Sequence, residues 1–131
     1  MTQIIGTWRL VRGSAVDADG NALPPPYGGD KAMGQVIFNA DGRMMAVLCD
    51  GRAELPAEET REYTSYCGNY IFDGKKLVTR VDATSDAERM GTDQVRDVHF
   101  DGEFMILRPP MKPYGNKMQQ REIVWEKISN V

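Results

Sequence analysis

The stretch Gly34-Gln35-Val36-Ile37-Phe38-Asn39-Ala40-Asp41-Gly42, followed by Met44-Met45-Ala46-Val47-Leu48, decides the fold class. Two short apolar runs flank an Asp-Gly pair. Glycine tolerates positive φ and aspartate bonds its own backbone, so the pair reads as a β-hairpin tip. The device recurs along the chain. Tyr66 to Phe72 and Leu77 to Val81 flank Asp73-Gly74, and Val95 to Phe100 and Phe104 to Leu107 flank Asp101-Gly102. Two more pairs, Asp19-Gly20 and Asp50-Gly51, fall in less regular settings. Short strands punctuated this way form a meander that closes into a barrel or sandwich.

Working outward, strands are expected near 6–16, 33–39, 43–49, 64–72, 76–84, 92–100, 103–109 and 121–128. Eight is the count at which a barrel interior holds side chains or one small ligand. The expected architecture is all-β, a single antiparallel up-and-down barrel spanning residues 1–131. A short helix is expected near residues 55–63, where Pro56 suits a first turn and Glu58 and Glu59 suit its positive dipole end. Asn21 to Lys31 and Pro109 to Gly115 read as long loops that form a rim or lid with that helix.

The 131 residues match one domain, and folding at this size hides roughly two-thirds of the unfolded surface. A hydrophobic share of 41% and a charged share of 27% are ordinary for a globular protein. A net charge of -3 speaks against nucleic-acid or anionic-membrane partners, which call for a basic face. No apolar run approaches a membrane span, and the opening Met1-Thr2-Gln3-Ile4-Ile5-Gly6 carries no leader pattern. A cytoplasmic location is therefore expected. There Cys49 and Cys67 default to free thiols, although their place on consecutive strands leaves a facing disulfide open.

Gly6-Thr7-Trp8 opens the first strand with the G-x-W pattern of lipocalins and their calycin relatives. More of the chain resembles the bacterial lipocalin-like domain family. The carrying segments are Gly6 to Val11, Gly34 to Gly42, Tyr63 to Tyr70, Gly91 to Arg96 and Val124-Trp125-Glu126. The resemblance implies a short calycin-type barrel whose tryptophan, Trp8, packs across the closed end against a late-strand arginine, for which Arg121 is the matching residue. Relatives with such barrels include carriers, haem binders and a few isomerases or cyclases, so the resemblance names no single chemistry.

His99 is the only histidine, and no Cys-x-x-Cys or His-x-x-x-His spacing supplies other ligands, so no metal site or cofactor is expected. Its place beside Asp101-Gly102 suits an exposed strand end; the alternative is a haem ligand. Tyr66, Gly68, Tyr70 and Phe72 share one strand face. They either fill the barrel or point a phenol at a ligand carbonyl, with Gly68 leaving space beside them. On the fifth strand Arg80 and Asp82 alternate with Thr79 and Val81. Outside, they form a solvated stripe; inside, Tyr66, Asp82, Arg80 and Arg96 meet as an acid–base set or an acidic-ligand site. The eight methionines, Met45 among them, suit either a core or an adaptable pocket.

The candidate ligand-binding residues are Tyr66, Tyr70, Phe38, Met45, Arg80 and Arg96, and the catalytic candidates are Tyr66, Asp82, Arg80 and Arg96. The expected function is binding of a small, mostly hydrophobic molecule by a monomer or homodimer. The alternative is a cofactor-free isomerase, cyclase or hydratase acting on a polyketide-, terpenoid- or steroid-like substrate.

Overall fold

A computed structural model describes residues 2–114 and 117–130. Its strands are β1 (Gly6–Val16), β2 (Ala32–Phe38), β3 (Arg43–Asp50), β4 (Tyr63–Phe72), β5 (Lys76–Thr84), β6 (Asp93–Asp101), β7 (Phe104–Arg108), β8 (Lys112–Tyr114) and β9 (Lys117–Ser129). Each of β1 to β6 pairs antiparallel with the next, β7 pairs with β9, and β9 pairs back onto β1. The result is a closed eight-stranded barrel. The Asp-Gly tips sit where the turn argument requires, and Gly42, Gly74 and Gly102 all take positive φ.

β8 lies outside the sequence expectation, which has a loop there. Lys112-Pro113-Tyr114 pairs with Lys117–Gln119 as a small hairpin on the early part of β9. Pro113 is tolerated because this is an edge, where its missing N–H breaks no central ladder.

The helix expected near 55–63 does not form. Glu59 N–H donates to Pro56 O at 3.2 Å, a single turn, and Glu58 sits at φ +73. The acidic residues that would favour a helix start are engaged elsewhere. Glu59 pairs with Arg52 at 3.0 Å, and Glu62 accepts from the Tyr27 N–H at 2.8 Å and from Arg121 at 2.9 Å. The Arg61 guanidinium donates to the Asp50 and Arg52 carbonyls, both at 2.7 Å. Tertiary tethers override the local preference. At the root of this loop, buried Asp50 holds Arg52 at 2.7 Å, which keeps its carboxyl below the usual carboxylate range.

Bulges set which side chains face inward. On β1 the register shifts between Leu10 and Arg12, so the buried set passes from Trp8 and Leu10 to Gly13 and Ala15. On β5, Asp82 is the extra residue: Cys67 pairs with Ala83 and Gly68 with Val81. Such bulges bend strands, as closing a barrel requires. Gly68 serves this approach rather than leaving open space. A Cβ there would stand 1.9 Å from the Arg80 carbonyl oxygen.

The core runs from the closed end upward through Ile4, Trp8, Leu10, Val36, Phe38, Met44, Leu77, Met105 and Trp125. Trp8 closes the bottom, donating from Nε1 to Ile4 O at 2.9 Å. Its cationic partner is not Arg121. Trp8 pairs across the sheet with Lys127, whose Nζ lies 4.5 Å from the indole centroid and donates to Ile5 O at 2.7 Å. Arg121 pairs with Ala15, toward the other end of the barrel. Cys49 and Cys67 are free. Cys49 pairs with Tyr63 and Cys67 with Met45, so four strand positions part them, about 13 Å along the sheet.

Candidate binding cavity at the open end

The end of the barrel opposite Trp8 holds a cavity of about 50 Å³. Leu48, Leu107, Ile123 and Trp125 form its apolar wall, and Tyr27, Tyr66, Tyr114 and Pro109 ring it. Above it lies a wider mouth of about 540 Å³, sharing Tyr27, Thr64, Arg89, Tyr114 and Arg121 with the cavity.

Tyr27 enters from the Pro-Tyr-Gly-Gly stretch between β1 and β2. It is buried, and its φ of +56 is the left-handed region that L side chains avoid. Its hydroxyl bonds Thr64 Oγ1 at 3.0 Å and its N–H is held by Glu62, so neighbouring groups stabilise the strained backbone. Burial pushes its phenol pKa up. Glu62 continues to Arg121, whose guanidinium stacks 3.8 Å from the Tyr114 ring centroid.

The facing wall is cationic. Arg89 donates to Gln94 Oε1 at 2.8 Å and Arg96 to the same oxygen at 3.1 Å. Two guanidinium groups thus converge on one neutral amide. Arg89 also lies 5.6 Å from the Tyr66 ring centroid and 3.6 Å from Asp86. Arg96 has no carboxylate within 4.0 Å among the described residues. Lys112 stands at the mouth, its pKa lowered by desolvation and then by Arg89, Arg96 and Arg121. Among the described residues, two buried donors on side chains that line the cavity, Arg121 Nε and Trp125 Nε1, have no hydrogen-bond partner, and neither has the buried acceptor Gln119 Oε1.

Of the residues singled out from the sequence, Tyr66 and Arg96 line this cavity. Phe38 and Tyr70 point inward but lie lower. Their rings meet edge to face at 5.1 Å, and the Tyr70 hydroxyl donates to Asn39 O at 2.7 Å. Met45 is on the outer face, 56% exposed, because Met44 and Ala46 take the inward positions of β3. Arg80 and Asp82 are also outside, since Leu77, Thr79 and Val81 are the buried residues of β5. Arg80 pairs with Asp93 at 2.6 Å, and Asp82 with Arg43 at 2.5 Å and the Cys67 thiol at 3.7 Å. The Tyr66, Asp82, Arg80 and Arg96 set is therefore not assembled. His99 is exposed on β6, across from Ile106.

Sequence reasoning missed Tyr27, Thr64, Arg89 and Tyr114, and placed Arg121 at the wrong end. A signal was present for Arg121: it shares inward parity with Ile123 and Trp125.

The model of the lipocalin-like domain matches residues 5–128. The chain belongs to the lipocalin-like domain family. No protein of curated function matches its sequence. The family assignment agrees with the closed antiparallel barrel and the Trp8 floor. This lipocalin-like barrel departs from the G-x-W arrangement in using Lys127 where an arginine was expected.

Proposed function

We propose that this lipocalin-like barrel binds a small, largely apolar molecule at its open end, with Tyr66 and Arg96 among the contacts. The observation that carries the reading is the cavity itself. It is a concave site with aliphatic and aromatic walls and a few convergent polar groups, the usual make-up of a ligand pocket. A cavity of roughly 150 Å³ is what a benzene-sized guest occupies. The 50 Å³ here admits only part of a ligand, so the rest lies in the mouth.

The isomerase, cyclase or hydratase reading has less support. Among the described residues no carboxylate or imidazole lines the cavity, and Tyr66 and Arg96 are what remain of its acid–base set. A general base must reach the proton that it removes.

Native mass spectrometry of the protein purified from its own host, with extraction of any bound compound, tests the proposal. A stoichiometric compound is expected, and Ile123→Trp, which fills the cavity, is expected to remove it while the barrel still melts cooperatively. A barrel that comes out empty and stays empty across a broad library of apolar compounds overturns the reading.

A further inference from the structure

Resting on the binding reading, we propose that the inner cavity is an anion subsite, which seats the carboxylate of an organic acid whose apolar body lies in the mouth. Three observations converge. First, among the described residues the lining of the inner cavity includes three arginines, Arg89, Arg96 and Arg121, and no carboxylate. The acidic groups nearby lie at the mouth: Glu62 is bound by Arg121 and the Tyr27 N–H, Asp86 caps Glu88 N at 3.0 Å, and Glu88 stands at the rim.

Second, the donors outnumber the acceptors. Arg89 and Arg96 share one neutral oxygen of Gln94, Arg96 also donates to the Val95 carbonyl at 2.8 Å and Arg89 lies 3.6 Å from Asp86, which still leaves guanidinium N–H groups for a further acceptor. Arg121 Nε is buried without a partner, and so is Nε1 of Trp125, a side chain 2% exposed. An indole N–H can only donate, and a buried donor left unmade costs about 1–3 kcal/mol. Each of these groups asks for an acceptor oxygen, and a carboxylate supplies two with about four lone-pair directions.

Third, the volumes fit this division. The cavity has room for a head group of a few atoms, while the adjoining mouth is ten times larger and offers the rings of Tyr27, Tyr114 and Pro113 beside charged Glu62, Glu88 and Lys112. Flat or chain-like apolar bodies pack against such rings.

Isothermal titration calorimetry with 2-naphthoate and its neutral isostere 2-naphthamide tests the inference at pH 7. The acid is expected to bind about tenfold or more tightly than the amide. Arg96→Gln is expected to cut that preference to about threefold or less while leaving the amide's affinity in place, and Arg89→Gln serves as a second variant if the first folds poorly. Arg80→Gln, on the outer face, leaves the preference intact. Equal affinity for the two compounds overturns the anion subsite and spares the binding proposal. Failure of both to bind the wild-type barrel overturns the anion subsite, and failure of the broad apolar library as well overturns the binding proposal with it.

Discussion

Gly68 leaves no room for a Cβ against the backbone of β5, and substituting it tests whether the β5 bulge is built as described. Its φ is ordinary, so the residue is not demanded by backbone conformation. It is demanded by space. The Cβ of Gly68→Ala would lie 1.9 Å from the Arg80 carbonyl oxygen and 2.8 Å from its carbon, both backbone atoms that no rotamer change can move. Van der Waals contact needs about 3.4 Å, so β5 must retreat by more than an ångström beside the Asp82 bulge. Overpacking costs about 1–3 kcal/mol, and a weakened ladder hydrogen bond adds about 1 kcal/mol. A loss of about 2–4 kcal/mol follows, a large share of the roughly 5–15 kcal/mol that stabilises a domain. At about 4 °C per kcal/mol for this size, Tm should fall by about 8–16 °C. Gly102→Ala is the control. Nothing lies within 4 Å of its added Cβ, but its φ is +61, so it should cost about 1 kcal/mol from conformation alone. Urea denaturation of both variants decides. A Gly68→Ala loss no larger than that of Gly102→Ala refutes the crowding argument.

Lys127→Met should cost about 1–2 kcal/mol, from the lost cation over Trp8 and the lost bond to Ile5 O. A double-mutant cycle with Trp8→Phe should return a coupling of about 0.5–1 kcal/mol, and zero coupling would remove Lys127 from the closure of the barrel. Tyr27 has a phenol whose folded pKa burial raises above the unfolded value of about 10. Its stabilising contribution is therefore complete below about pH 10 and is lost as pH rises through the folded value. Stability measured by urea midpoint should fall in alkali, and that fall should be smaller in Tyr27→Phe. Asp50 has the opposite sign: Arg52 depresses its folded pKa, so its contribution is complete above about pH 4 and is lost as pH falls through the folded value. Urea midpoints between pH 7 and pH 2 should show a shallower acid limb in Asp50→Asn, with Asp17, Asp73 and Asp82 keeping part of the slope.

The barrel was legible because its information is local. Asp41-Gly42, Asp73-Gly74 and Asp101-Gly102 each specify a turn from two residues, and the apolar runs beside them need only alternate. The candidate site was legible in part, because its residues depend on facts that no short window contains. Whether Arg80 faces in or out is decided by the parity of β5, and the bulge at Asp82 breaks that parity within the strand. Which cation meets Trp8 depends on the register of β1 against β9, which sets Trp8 opposite Lys127 and leaves Arg121 opposite Ala15, seven residues further along β1. The segment near 55–63 has the composition of a helix start, yet Arg52 pairs with its Glu59, and its Arg61 is tied to the Asp50 and Arg52 carbonyls outside the window.

The barrel has a cation over an aromatic ring at each end, and the two are not equivalent. At the closed end Lys127 sits over Trp8 and donates to the carbonyls of Gln3 and Ile5, so its donors serve the fold. At the open end Arg121 sits over Tyr114 and meets Glu62, yet one buried N–H remains without an acceptor, and Arg89 and Arg96 crowd onto a single amide oxygen beside it. Buried donors are ordinarily satisfied, and where they are not the deficit calls for an explanation. Stability alone would favour apolar side chains at these positions, since a half-satisfied polar network is worse than none. Arginines kept short of acceptors, in a cavity that opens to solvent at one end, are therefore better explained by what enters there than by what holds the barrel together.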